Sequence, residues 1–116
     1  MLGDTLTMTL GGSGGTAKVL NKINQDGYGA EYLLREATQQ FTAKVSHSKN
    51  GTRDRHYVEF KQTVFATSTD PEIIRTSSHV LLASPSDTEA DVTNLAEALA
   101  FWLDGTTVPK LIGWQS

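Results

Sequence analysis

No cysteine occurs among the 116 residues. Disulfide frameworks, thiol nucleophiles and thiolate metal sites are therefore excluded, and a reducing cytosol is compatible with the fold. Long apolar runs are missing too. The longest, Ala98 to Leu103, falls far short of the ~20 residues that a bilayer-crossing helix needs. The opening residues Met1-Leu2-Gly3-Asp4-Thr5 have neither the basic start nor the apolar stretch of a signal peptide, which predicts a soluble chain that is neither secreted nor membrane-bound. Length allows one modest core, so residues 1–116 are expected to form a single domain.

An excess of positive charge is also lacking. The net charge of −3 argues on average against a nucleic-acid binder, because phosphate contacts need clustered Lys and Arg. The distribution says more than the average. Half of the ten basic residues, Lys44, Lys49, Arg53, Arg55 and Lys61, fall in one short segment opposed only by Asp54 and Glu59. Asp87, Glu89, Asp91, Glu97 and Asp104 then face the single Lys110, giving a basic middle and an acidic carboxy-terminal third. The ordinary meaning of such a split is two solvated faces of a globular protein.

What is present is mostly strand. Thr5-Leu6-Thr7-Met8-Thr9-Leu10 alternates polar and apolar residues, and Gly11-Gly12-Ser13-Gly14-Gly15 leads into extended Thr16 to Leu20, which predicts a hairpin with a loose turn. A polar loop with Asn24, Asp26 and Gly27 is expected next. Ala30 to Arg35 fits either a strand or one helical turn and is read as a strand. Phe41 to Lys49 and Arg55 to Thr67 are strand-like runs joined by a turn containing Asn50-Gly51, a strong hairpin signal. Phe41, Ala43 and Val45 share one face with Val58, Phe60 and Val64. Thr42, Lys44, Ser46 and Ser48 share the other with Tyr57, Glu59, Lys61 and Thr63. Extended chain is expected again from Ile73 to Leu82.

The last third is helical. Ser86-Asp87-Thr88-Glu89 has capping-box spacing, and Val92, Leu95, Ala96, Leu99, Trp102 and Leu103 recur at helical intervals. Asp104-Gly105 ends that helix, and Thr107-Val108-Pro109 offers the start of a second. Strands first and helices last make an α+β protein. Two short helices cover only part of such a sheet, so dimerisation is expected, with the Lys44/Lys61 face left bare as a candidate RNA surface.

In order and spacing these segments resemble the coat proteins of the single-stranded RNA bacteriophages (leviviruses). The resemblance is carried by the Gly-rich hairpin, by Gly29-Ala30-Glu31-Tyr32, and by Phe41-Thr42-Ala43-Lys44-Val45-Ser46 leading to Arg55-His56-Tyr57-Val58-Glu59-Phe60-Lys61. Leu81-Leu82-Ala83-Ser84-Pro85-Ser86-Asp87 and Leu103-Asp104-Gly105-Thr106-Thr107-Val108-Pro109 carry it at the end of the chain. It implies an amino-terminal β-hairpin, a five-stranded antiparallel sheet and two carboxy-terminal helices that interlock with a second subunit in a homodimer. It also implies an icosahedral shell of T=3 type, made in the bacterial host cytoplasm, with genomic RNA on the inward sheet face and an RNA hairpin bound to repress replicase translation.

Carried onto this chain, the resemblance implies RNA contacts from Lys44, Ser46 and Ser48 on one strand and Tyr57, Glu59, Lys61 and Thr63 on the next. Lys44 and Lys61 would meet phosphates, and Ser46 and Tyr57 would hydrogen-bond to or stack on an unpaired base. Arg75, with Ser77 and His79, would extend the surface. Glu59 is unfavourable beside phosphate unless a base or Lys61 satisfies it. The loop Ala66 to Glu72 corresponds to the family segment that changes shape between symmetry environments of the shell.

Enzymatic readings find little support. His47, His56 and His79 have neither metal-ligand nor triad-like spacing. Gly11 to Gly15 is not followed by the GK[ST] of a phosphate loop. Trp102 and Trp114 are expected in the core or a dimer interface. No cofactor is expected. The alternative of another class is a non-viral dimeric α+β module that binds RNA or a ligand and stops at a dimer.

Overall fold

The computed structural model describes residues 3–114, the side chain of Asn50 excepted; Met1 and Leu2, which head the segment read above for a leader, lie outside them. The chain divides between Leu82 and Ala83 into two compact units.

The first unit is one sheet with the strands in sequence order, β1 (Thr5–Leu10), β2 (Thr16–Asp26), β3 (Gly29–Arg35), β4 (Gln39–Asn50), β5 (Arg53–Val64) and β6 (Ile73–Ala83). Neighbours from β1 to β5 are antiparallel. The expected separate hairpin and five-stranded sheet are thus corrected to a single six-stranded sheet. The reason lies in β2, which does not stop at Leu20. It runs on through the segment read as a polar loop and pairs with β3 as far as Asp26 opposite Gly29. A register shift between Lys22 and Asn24 marks a bulge at Ile23; bulges let one strand stay paired while it bends.

That bend lets the first hairpin curl over its own sheet. Lys18 Nζ lies 5.5 Å from the centre of the Phe41 ring and Lys22 Nζ 6.0 Å from that of Tyr32. The Tyr32 hydroxyl donates to the Gly3 carbonyl at 3.0 Å. Met8, Leu20, Tyr32, Phe41 and Ala43 form the buried core, while Val58 and Phe60 are only half-buried. The lysines cover the core with their stems and keep their charged ends bonded, Lys18 to Glu36 at 3.0 Å. Gly29 fits where no side chain would, because a Cβ there would sit 2.4 Å from the Val45 carbonyl oxygen. The β4–β5 turn places Gly51 at φ 66° in its first position, a backbone region that glycine enters without steric cost.

The second unit holds α1 (Glu89–Trp102) and α2 (Thr107–Ile112). The expected capping box does not form. Thr88 is the N-cap and makes no side-chain cap bond, while Ser86 Oγ lies 3.0 Å from Ser84 Oγ. Asp104 serves α2 instead, its Oδ1 accepting the N–H groups of Thr106 and Thr107, each at 2.9 Å. Those two bonds hold its carboxyl below the usual carboxylate range. No residue of either helix is buried, and Phe101, Ile112 and Trp114 are exposed.

Candidate nucleic-acid interface

The β4–β5 ladder builds the site. Its register sets Thr42 opposite Lys61, Lys44 opposite Glu59, Ser46 opposite Tyr57, Ser48 opposite Arg55 and Gln40 opposite Thr63. Side chains alternate along a strand, so all of these project from the face opposite Phe41 and Ala43. The seven candidates on these two strands, Lys44, Ser46, Ser48, Tyr57, Glu59, Lys61 and Thr63, are therefore brought together as the residue pattern predicts. The adjacent strand adds Glu31, opposite Lys44, and Leu33, opposite Thr42.

Among the described residues the ion pairs are Lys18–Glu36, Lys22–Asp4 and Lys49–Asp54, and neither Lys44 nor Lys61 takes part in one of them. With Glu31, Glu59, Thr42 and Ile23 they line a shallow concavity of about 220 Å³.

Glu59 is occupied otherwise. The Tyr57 hydroxyl donates to Glu59 Oε2 at 2.7 Å. That bond, followed by desolvation, raises the phenol above its ordinary value, and Tyr57 stays a neutral donor. One carboxylate oxygen is thereby hydrogen-bonded without a lysine. The Arg55 guanidinium lies 5.1 Å from the centre of the Tyr57 ring, within cation–π range. Arg55 belongs to the basic segment but is not among the residues to which the resemblance assigns RNA contacts. Its parity with Tyr57 along β5 is the signal that would have found it.

Arg75 lies on β6. Its Nη1 donates to Gln62 Oε1 at 3.1 Å, and Gln62 pairs with Phe41 on the opposite face. Residues 66–72 form a connection braced by Thr67, whose N–H donates to the Asp70 carbonyl at 2.9 Å and whose Oγ1 accepts the Asp70 N–H at 3.0 Å.

The arrangement offers what single-stranded RNA requires: cations for phosphate, and hydroxyl, phenol and guanidinium groups for an unpaired base. Among the described residues no three His, Asp or Glu side chains gather as a metal cluster.

Compared with known proteins, residues 3–84 match the family model described as phage phiCb5, coat protein. Among solved structures, the bacteriophage EMS014 coat protein superposes with a TM-score of 0.70 at 17% identity, covering 86% of this chain and 72% of that one. No curated protein matches significantly.

Proposed function

Because the chain belongs to the phage phiCb5 coat protein family, and is thus a structural subunit of a virion rather than an enzyme, we propose that it assembles as homodimers into an icosahedral T=3 shell. The Lys44/Lys61 face holds the RNA genome in that shell. The single observation that supports the RNA contact is the ladder register, which gathers Lys44, Lys61 and Arg55 around Ser46 and Tyr57 on one polar face. Lys44 and Lys61 contact phosphates. Ser46, Ser48, Tyr57 and Thr63 meet sugar and base, and the free Glu59 oxygen accepts from a base amino group. The same surface recognises an RNA hairpin that represses replicase translation. The subunit is made in the bacterial host cytoplasm.

Dimerisation is supported by what each unit leaves unsatisfied. β6 ends the sheet, with Ile73, Ile74 and Val80 exposed, and an open edge of this kind is a template for pairing with another chain. The exposed apolar residues of α1 and α2, Leu95, Phe101, Trp102 and Ile112 among them, supply a second surface for burial against a partner. In this reading residues 1–116 act as one domain whose helices interlock with those of a second copy.

Size-exclusion chromatography with absorbance at 260 and 280 nm, followed by negative-stain microscopy, tests the proposal. Uniform particles carrying nuclease-releasable RNA are expected; a clean, RNA-free dimer under several assembly conditions would overturn the packaging role. Deleting Ser68 and Thr69 from the 66–72 connection is expected to leave dimers intact and to reduce the yield of particles. Equal yields from the deletion would remove that loop from the assembly mechanism.

A further inference from the structure

The opposite face of the same hairpin carries a side-chain pair that the coat function does not use. His47 and His56 face each other directly in the β4–β5 ladder. Their Nδ1 atoms are 2.9 Å apart, and the rings meet edge-on with centres 5.1 Å apart at 70°. His47 is exposed and His56 half-buried, so both rings are reachable from solvent. As they stand, one Nδ1–H donates to the other Nδ1.

The same spacing is the bite of a chelate. Two imidazole nitrogens at about 2.0–2.1 Å from one ion and 2.9 Å from each other subtend about 90° at that ion. A tetrahedral centre would need its two nitrogens about 3.4 Å apart at the same bond lengths. An angle near 90° belongs to adjacent positions of a square-planar or tetragonal centre, the geometry of Cu(II) and Ni(II), and copper heads the affinity order of the first-row divalent ions. The backbone ladder already holds the two side chains in register, so little freedom remains to be lost on binding.

The surroundings set the remaining ligands. The next pair on this face, Lys49 and Asp54, is closed on itself at 3.0 Å. On the other side lie Val45 and Val58. Asp26 and Lys22 share a small cavity with His47, but Asp26 Oδ1 accepts the Tyr28 N–H at 2.7 Å and Lys22 Nζ donates to Gln25 at 2.7 Å. Each nearby carboxylate thus has one oxygen already bonded, which leaves water for the remaining positions of an ion held there.

We propose that His47 and His56 form a two-imidazole chelate for divalent copper across the β4–β5 hairpin, with nickel as the weaker occupant. Each ring ligates through its Nδ1 lone pair. The ring that donates its Nδ1 proton in the empty pair moves that proton to Nε2 through solvent, both rings remain neutral, and the ion replaces the hydrogen bond.

The test titrates the full-length protein, stripped with EDTA, with copper(II) chloride at neutral pH. One ion per chain is expected, with nitrogen hyperfine structure from two imidazoles in the electron paramagnetic resonance spectrum. His47→Gln and His56→Gln are each expected to weaken binding at least tenfold, and His79→Gln to leave it unchanged. In the unmodified protein, copper should protect His47 and His56, but not His79, from diethylpyrocarbonate, a readout that needs no variant to fold. Parent-like binding by both single variants, or equal modification of His47 and His56 with and without copper, would overturn the proposal.

Discussion

The two faces of the β4–β5 hairpin are cut from alternate residues of the same two strands, yet one is packed and the other is bare. Phe41 and Ala43 are buried beneath β1 and β2, whereas Lys44 is exposed and Lys61 half-exposed with no partner of opposite charge among the described residues. The period of two separates stability from recognition. A slip of one residue would exchange the faces, burying the lysines and baring the core, so the register is strongly specified.

The comparison breaks most severely at Phe41. Phe41→Ala removes a fully buried ring from under Lys18 and should cost about 3–5 kcal/mol, read by urea unfolding; a loss under about 1 kcal/mol would mean that the core lies elsewhere. Next is Gly29→Ala. Its Cβ would press on the Val45 carbonyl oxygen, forcing β3 from β4 at a cost of about 1–3 kcal/mol, visible as faster amide exchange at the end of that ladder.

A smaller effect belongs to Glu36, which anchors Lys18 over the packed face. Hydrogen bonds from Lys18 and then Gln39 hold its carboxyl below the usual range. A depressed folded-state value contributes stability above the unfolded pKa, and that contribution is lost as pH falls through the folded value. Glu36→Gln should therefore be less stable than the parent at neutral pH, and the gap should close in acid. A gap independent of pH would assign the effect to packing. The smallest effect on stability is expected on the bare face, where Lys44→Ala and Lys61→Ala should each stay within about 0.5 kcal/mol of the parent.

Much of this was legible in the sequence where the pattern was strictly periodic. Alternation along Phe41 to Lys49 and Arg55 to Val64 assigns both faces correctly, because a hairpin with a short turn leaves little choice of register. The same logic was weaker for β2. Asn24, Gln25 and Asp26 look like a loop because they are exposed edge residues, and the bulge at Ile23 breaks the alternation that would have marked a strand. Helix starts were legible only as spacing. Ser86 and Glu89 stand at the right interval, yet Ser86 turns to Ser84, since short hydroxyl side chains compete among local partners. The face of Arg75 was not legible for a related reason. With a broken segment before β6, parity could not be counted across the loop, and the bond from its guanidinium to Gln62 is visible only in the structure. The His47–His56 contact was within reach of sequence reasoning as a proximity, but its 2.9 Å separation was not.

The central claim is that the bare face, and not the packed one, holds RNA through Lys44 and Lys61. The most direct test measures single-stranded RNA affinity of the dissociated subunit against salt concentration for the parent and for the Lys44→Ala/Lys61→Ala double variant. Each phosphate contact contributes about −0.7 to the log–log slope on single strands, so the double variant should lose about 1.4 from the slope while unfolding at the same urea concentration. An unchanged slope in a stably folded double variant would contradict the account and move the RNA to another surface.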